Sequence, residues 1–340
     1  FVLIFCFKNK MFVFYNKIAL HFQNVILKHK KCIVKSRSEC DISSEIAGKK
    51  IKIPVFPSNM SSIVNEDICK EFDNDGWFHV FPRTNESKIL PYVERANKEN
   101  WNFVSISVGI KQIYFDILKQ IKSFGYRLDS VEIDLAIGYT DSILPMISFL
   151  RKNFDNINII AGNGDSKEFI EFLARNDADV AKINIGVSFG ACRTRHWTGF
   201  ASSTITDLND CYKTSLLCLK PNKEKIKILV DGGITVKKGE IHVGDVAKSI
   251  AFGASYIQSG ALFSCCVDSP SIKNGYFGNA SSIIKTNKNH IEGTNLKVKN
   301  NGMTMKEMRK RIEDSLKSSV SYAGGNKLED LRKVDYQIVF

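Results

Sequence analysis

The sequence predicts an α/β protein that folds as one (β/α)8 barrel, of the TIM-barrel type, over residues 31–340, after an N-terminal extension over residues 1–30. Three observations lead to this prediction. Eight short apolar runs rich in β-branched residues recur along the chain, amphipathic helical patterns separate them, and nearly every run ends in polar or glycine residues. Eight parallel strands joined by crossover helices close a barrel whose chemistry lies at the carboxyl ends of the strands.

The eight candidate strands are spaced as strand–helix units require. The first six begin 26, 26, 27, 27 and 23 residues apart, and the last two gaps are 46 and 30 residues. In chain order the strands are predicted over Ile51–Phe56, Trp77–Phe81, Phe103–Val108, Ser130–Leu135, Ile157–Ala161, Val180–Ile185, Ile226–Val230 and Tyr256–Leu262.

The segments between the strands have the apolar periodicity of amphipathic helices. Ile113, Ile117 and Ile121 recur at helical spacing before Gly125, and the run 169–173 repeats the pattern. A doubly wound open sheet is the main alternative fold, but such a sheet rarely runs to eight strand–helix units.

The net charge of +12 is concentrated in two segments. Residues 1–50 hold ten Lys/Arg and three Asp/Glu, residues 285–311 hold eight and two, and the rest is nearly neutral. A nucleic-acid-binding protein more often carries a basic stripe on its folded face, so we expect no nucleic-acid partner. The second segment is either a solvated surface or a lid over an anionic ligand, and we predict a late lid loop near residues 270–300.

The cysteines and the first residues bear on the cellular setting. Nine cysteines occur without a CxxC pair, so the sequence shows no zinc or disulfide framework, and free thiols favour a reducing compartment such as the cytoplasm. The apolar run Phe1–Phe7 breaks at Lys8 and is too short to span a bilayer, so we expect no membrane association. We assign no function to residues 1–10.

The loop after the sixth predicted strand carries a candidate nucleophile, Cys192. Arg193 and Arg195 flank it, and adjacent cations favour the thiolate, which is the nucleophilic form of cysteine. Any one of the nine cysteines is more often a buried free thiol without a catalytic role. A position at the catalytic face of a barrel favours a catalytic role for Cys192.

The loops after the seventh and eighth predicted strands are candidate phosphate-binding loops. They read Asp231-Gly232-Gly233 and Gly260-Ala261. Barrels often bind phosphate with the backbone amides of these two loops, where glycine lets the backbone approach closely. Either motif alone could be an ordinary turn. The presence of both motifs indicates a site for an anionic ligand.

These motifs resemble those of the IMP dehydrogenase/GMP reductase family, and within it the GMP reductases. The resemblance covers about 300 residues with the motifs in order. Its segments, besides the cysteine loop, are Lys31–Asp41, Pro54–Ser61, Ser105–Gly109, Asp134–Gly138, Ala161–Asn163, Asp231–Ile234, Asp245–Ile250, Tyr276–Ser281, Glu292–Gly293 and Ser318–Gly325.

The resemblance implies a reaction and the residues that carry it. The thiolate of Cys192 would add to C2 of GMP, ammonia would leave, and hydride from NADPH would release IMP, with Thr194 and Glu292 handling the proton. Substrate-binding residues would be Asp231, Gly232, Gly233, Gly260, Ala261, Gly278, Asn279, Ala280 and Ser281. Residues facing NADPH would be Asp134, Leu135, Ala136, Ile185, Gly186, Ser318, Ser321, Tyr322 and Gly324. A potassium ion would sit on backbone carbonyls of Gly186, Gly190 and Cys192, and the protein would be a homotetramer.

Simpler roles stay open for several of these residues. Glu292 could be solvated, Thr194 a turn residue, Asp134 a helix cap and Tyr322 a packing residue. The chain also departs from the family pattern, because Ile185 and Cys192 lie one position further apart and Val187-Ser188 replaces Pro-Gly. An inactive nucleotide-binding barrel is therefore one alternative.

IMP dehydrogenase is the other alternative. That enzyme must hydrolyse its adduct, and its family uses an arginine on a late flap to activate water. Here no arginine occurs between Arg195 and Arg309. The 21 residues from Pro82 to Asn102 are also too few for the regulatory modules that dehydrogenases usually insert after strand two. The reductase is the favoured prediction.

Overall fold

A computed structural model describes residues 2–7, 10–15, 18–84, 86–187, 192–237, 240–285 and 289–339. Its strands are, in chain order, β1 (Val2–Phe7), β2 (Lys10–Tyr15), β3 (Val25–Leu27), β4 (Ser44–Ile46), β5 (Lys49–Ile51), β6 (Val55–Pro57), β7 (Ser105–Val108), β8 (Ser130–Asp134), β9 (Asn158–Gly164), β10 (Val180–Ile183), β11 (Lys227–Asp231), β12 (Val236–Lys237), β13 (Glu240–Ile241), β14 (Tyr256–Ser259) and β15 (Tyr336–Ile338).

The α-helices of the same residues are α1 (Glu66–Asn74), α2 (Glu86–Lys98), α3 (Gln112–Ser123), α4 (Leu144–Asn153), α5 (Lys167–Arg175), α6 (Thr194–Thr198), α7 (Thr206–Leu217), α8 (Gly244–Ala251), α9 (Ala261–Ser264), α10 (Pro270–Asn274) and α11 (Met305–Tyr322). Short 3₁₀ helices span Phe22–Asn24, Arg37–Glu39, Asp141–Ile143 and Leu328–Lys333. Among the described residues, no helix is long and apolar enough to cross a membrane.

Seven parallel strands form the central sheet, in the order β6-β14-β11-β10-β9-β8-β7. The first and last strands of the set, β6 and β14, pair with each other, so the sheet curls. The second predicted strand lies beside β7, where Phe81 accepts from Ser107 N at 2.8 Å and donates to Ser105 O at 3.0 Å. Only this residue of the predicted strand forms a bridge, so the described sheet has seven strands rather than the predicted eight.

The predicted ends of the seven sheet strands differ from the observed ends by up to four residues, and two of these differences place residues in another element. The first barrel strand is only Val55–Pro57, because Ile51 belongs to the hairpin of β4 and β5. The last strand stops at Ser259, and residues 261–264 form the short helix α9 instead. Both differences arise where an apolar run continues past the strand, and periodicity cannot divide such a run.

Two apolar cores hold the fold together. The larger one lies between the sheet and the surrounding helices. The smaller one gathers interior side chains from most of the strands and from the 77–81 segment, including Phe56, Phe78, Phe103, Val180, Leu229 and Tyr256. Burying one such aromatic ring contributes about 2–3 kcal/mol, so this inner layer fixes the amino-terminal end of the sheet.

The N-terminal segment packs on this body from about Phe22 onward. Phe22 and Val25 are fully buried, and β3 pairs antiparallel with β15 near the C-terminus. The β1–β2 hairpin precedes this segment. The division of the chain at residue 30 stays a prediction.

His79, in the second predicted strand, gives the fold a dependence on pH. The side chain is buried, and its Nε2 lies 3.1 Å from the Tyr92 hydroxyl. Burial lowers the pKa of His79 from 6.5 to about 4. The unfolded chain therefore binds this proton more tightly, and the stability contributed by neutral His79 is present above pH 6.5 and is lost as the pH falls towards 4.

We expect the free energy of unfolding to fall by about 1–3 kcal/mol across that pH window. Urea denaturation of wild type and His79→Gln measures the effect, and the variant should lose much of the pH dependence. His29→Gln, at an exposed position, serves as the control. An unchanged pH dependence in His79→Gln would contradict the assignment.

Candidate active site

The carboxyl ends of the strands open on a cavity of about 380 Å³, within the size range of small-ligand pockets. Loops after β6, β8, β10, β11 and β14 line it, together with the late loop after α10. Its lining comprises Ser58, Asn59, Met60, Arg83, Asp134, Leu135, Ala136, Lys182, Asn184, Ile185, Gly186, Val187, Cys192, Thr194, Asp231, Gly232, Gly260, Tyr276, Gly278, Asn279, Ala280, Lys285, Glu292 and Gly293.

Three side chains at this cavity form a directed hydrogen-bond chain. The thiol of Cys192 donates to Thr194 Oγ1 at 3.2 Å, and that hydroxyl donates to Glu292 Oε2 at 2.7 Å. Cys192 and Thr194 are half-buried, at the start of the short helix α6. Because each group donates to the next, the chain connects a sulfur nucleophile to a carboxylate through one hydroxyl.

Backbone contacts hold Glu292 beside the cysteine. Arg193 N donates to Glu292 O at 2.6 Å, and Cys192 forms an antiparallel bridge with Gly293. Gly293 N in turn donates to Ala280 O at 3.1 Å. The cysteine loop, the late loop and the turn at 278–281 are therefore bonded in one unit.

The turn after β11 brings its carboxylate and its amides to the cavity. Gly232 and Gly233 have φ of 74° and 78°, a left-handed conformation that favours glycine. Asp231 accepts from Asn163 Nδ2 at 3.0 Å. The backbone and the carboxylate of this turn are thus held in place for a polar ligand.

Two buried polar atoms on the cavity wall have no hydrogen-bond partner among the described residues. They are Asn59 Nδ2 and Asn184 Oδ1, a donor and an acceptor. Unpaired buried polar atoms are costly, so we expect a polar ligand or an ordered water to bond them.

Comparisons with known proteins assign the chain to a family. The family model described as "IMP dehydrogenase / GMP reductase domain" matches residues 19–339.

The chain belongs to this family.

Individual relatives span nearly the whole chain. A GMP reductase of Staphylococcus carnosus (strain TM300) is 34% identical over 319 residues, covering 91% of this chain and 93% of the relative. GMP reductases of Staphylococcus aureus strains RF122 / ET3-1 and JH9 are each 35% identical over the same shares. The resemblance inferred from the motifs is therefore confirmed.

The predicted substrate-binding residues fall into two groups. Asp231, Gly232, Gly260 and the run 278–280 line the main cavity. Gly233 lines a neighbouring cavity of about 580 Å³ that shares Cys192 and also borders Arg193 and Arg195. Ala261 and Ser281 are not on the wall of the main cavity, since Ala261 begins α9 and Ser281 is buried behind the turn.

The predicted NADPH-facing residues are divided between two ends of the molecule. Asp134, Leu135, Ala136, Ile185 and Gly186 line the cavity. Ser318, Ser321, Tyr322 and Gly324 lie at the far end of α11, where Arg37 bonds the Ser318 and Tyr322 hydroxyls at 3.1 and 3.0 Å.

The direction of α11 explains this separation. Its first residue, Met305, bonds Asp268 in the loop that follows α9. Glu313, midway along, already contacts Lys52 and Trp77, which precede their strands at the amino-terminal end of the sheet. The 18-residue helix is about 27 Å long, so residues 318–324 lie at the end opposite the cavity.

The predicted potassium site cannot be compared in full, because Gly190 lies outside the described residues. In the described part of the chain, no cluster of three or more His, Cys, Asp or Glu side chains could hold a metal ion. A site made of backbone carbonyls stays a prediction.

Sequence reasoning missed a charge cluster at the floor of the cavity. Lys182 Nζ contacts the carboxylates of Glu132, Asp134 and Asp231. The available signal was a charged residue inside each of two apolar runs, since parallel strands covered on both faces are normally apolar throughout. Arg83 also belongs to this cluster, because its side chain bonds Asp134 at 3.2 Å.

Proposed function

We propose that this protein catalyses the NADPH-dependent reductive deamination of GMP to IMP with release of ammonia, a purine salvage reaction. The single observation that carries the proposal is the chain from Cys192 through Thr194 to Glu292. The shared fold and the GMP reductase relatives support it.

The Cys192 sulfur is the nucleophile. It adds to C2 of GMP while its proton passes through the Thr194 hydroxyl to Glu292, which lies at the end of the hydrogen-bond chain. The same relay returns a proton to the 2-amino group, which leaves as ammonia, and a thioimidate remains on Cys192. When bound, NADPH supplies the hydride that reaches C2 and releases IMP and the thiolate.

The nucleotide and the cofactor occupy different walls of the cavity. We assign Asp231, Gly232 and Gly260 to the nucleotide, because the backbone amides of the two glycine turns fit a phosphate. We assign Asp134, Leu135 and Ala136 to the cofactor, on the wall formed by the loop after β8. Met60 and Tyr276 also line the cavity.

We further propose that the 318–324 segment serves the cofactor bound to a second copy of the chain, within a homotetramer. One copy cannot place both predicted NADPH sets on one ligand, because the two sets lie at opposite ends. Trp197 and Phe200 beside the cysteine loop are 68% and 75% exposed, which suits a surface that a second copy covers.

We also propose that the curled sheet closes into a full (β/α)8 barrel, since the 77–81 segment contributes Phe78 and Val80 to the inner core.

Two assays on the purified protein test the reaction. GMP with NADPH should give a steady loss of NADPH absorbance and equimolar IMP, whereas IMP with NAD should give no XMP, because no arginine lies between Arg195 and Arg309 to activate water. XMP formation without NADPH consumption would assign the dehydrogenase instead. GMP binding without turnover would select the inactive barrel.

A further inference from the structure

One ammonium group lies among three carboxylates at the floor of the cavity. Lys182 Nζ is 2.6 Å from Glu132 Oε1, 3.0 Å from Asp134 Oδ1 and 3.2 Å from Asp231 Oδ2. The side chains of Lys182 and Glu132 are 1% and 0% exposed. A buried lysine with three acidic neighbours is held by charge as well as by packing.

The fold places these groups together across several strands. Glu132 and Asp134 are two residues apart on β8, so both point into the curl of the sheet. Lys182 is on β10 and must reach across β9 to meet them. Gly162 of β9 makes room, because a Cβ there would lie 2.5 Å from the Lys182 Cβ.

Each cavity carboxylate also has partners of its own. Asp134 accepts from Arg83 at 3.2 Å and from Asn279 at 2.8 Å, whereas Asp231 accepts from Asn163 at 3.0 Å. Within the described residues, Lys182 is the cationic side chain that contacts both carboxylates. Glu132 anchors Lys182 from below and is itself bonded by Gln258 at 3.0 Å.

The charges explain why Lys182 stays ionised there. Burial acts against its charge, but Asp134, Asp231 and Glu132 raise the pKa of Lys182 well above its ordinary value. Burial also acts to raise the pKa of Asp134, yet Lys182 and Arg83 together hold it below the ordinary range. Burial raises the pKa of Glu132, with Lys182 offsetting part of the effect.

We propose that Lys182 is a positioning residue that serves both ligand sites at once, holding the Asp134 carboxylate towards the cofactor and the Asp231 carboxylate towards the nucleotide. The inference rests on the proposed function, which assigns these two carboxylates to the two ligands. Removing the ammonium leaves buried carboxylates facing one another, and they must then separate or take up protons. Either response misplaces acceptors on both walls of the cavity.

The test compares ligand binding in matched variants. Lys182→Met removes the ammonium. The double variant Glu132→Gln/Lys182→Met removes one charge of each sign and keeps the net charge, so it can be measured even if Lys182→Met fails to fold. Calorimetry measures binding of GMP and of NADPH separately. We expect the double variant to bind each ligand at least about tenfold more weakly than wild type, in keeping with loss of a buried charge-assisted contact.

Lys220→Met is the matched control. Lys220 is also buried, with 3% of its side chain exposed, and pairs with Asp179 at 2.6 Å away from the cavity. If Lys182 had a purely structural role, the Glu132→Gln/Lys182→Met variant and the Lys220→Met variant would lose equal affinity for the ligands. We expect Lys220→Met to lower the melting temperature but to keep GMP and NADPH affinity within about twofold, as for a residue that contacts neither site. Equal losses, or a double variant that keeps the affinity for either ligand, would overturn the proposal.

A second measurement needs no ligand. Carbon-13 NMR of the aspartate carboxyl groups follows the ionisation of Asp134 directly. We expect Asp134 to titrate at a pH about one unit or more higher in the double variant than in wild type. If wild type binds neither GMP nor NADPH, the proposed function fails, and this titration still decides whether Lys182 controls Asp134, since identical titrations would overturn that role.

Discussion

Cys192→Ala should abolish turnover while leaving GMP binding nearly intact. The sulfur forms the bond that the reaction depends on, and the methyl group of alanine cannot replace it. We expect the rate of NADPH consumption with GMP to fall by about 1,000-fold or more, because only binding and electrostatic assistance remain. Calorimetry should give a GMP affinity within a few-fold of wild type, as expected for a residue that acts mainly in the transition state.

Cys218→Ala is the matched control for this variant. Cys218 is another half-buried free cysteine, and it lies at the end of α7, outside the cavity. Its replacement should leave the rate unchanged. If Cys192→Ala retains more than about a tenth of the activity, covalent catalysis by this residue is wrong.

Glu292→Gln should give the second largest loss. The amide keeps the size and the polarity of the side chain but cannot accept the proton that the Thr194 hydroxyl delivers over 2.7 Å. Removing a general acid–base group lowers kcat by about 100-fold to 10,000-fold. The KM for GMP should change little, because Glu292 acts on the proton and not on the phosphate or ribose.

Thr194→Val tests whether the two residues form one relay. A hydroxyl that only passes the proton on to Glu292 contributes nothing once Glu292 is absent, so the double variant Thr194→Val/Glu292→Gln should be no slower than Glu292→Gln alone. Glu307→Gln, which alters an exposed glutamate at the start of α11, controls for a general effect of charge. Fully additive losses in the double variant would show that the residues act separately.

The fold could be predicted because its signal is local and repeated. Each apolar run and each amphipathic helix lies within about 30 residues of sequence, and parallel strands need such helices. The departures are at element ends, as at Ile51 and Leu262, where an apolar run continues into a hairpin or a helix. Pro54, directly before β6, and Gly260, directly after β14, were the local signals that mark these two ends.

Within the candidate site, the pairing of Thr194 with Glu292 could be predicted only from the family motifs. Thr194 and Glu292 are 98 positions apart, and no periodicity brings such residues together. Lys182 was missed because a contact across β9 depends on the curl of the sheet and on the missing side chain of Gly162, which a strand pattern does not reveal. The far placement of Tyr322 was missed for a similar reason, since it follows from the direction of α11.

Pairing between β6 and β14 also affects how the chain folds. Val55 and Ile257 are neighbours in the sheet although roughly 200 residues separate them, and a contact of such long range closes a large loop at a high entropic cost before any stabilisation is gained. The strand pair β3–β15 joins segments still further apart. During synthesis on the ribosome, the first strand of the sheet therefore waits for β14 to emerge. The apolar inner surface of the early strands stays uncovered during that interval, and transiently exposed apolar surface of this kind favours aggregation.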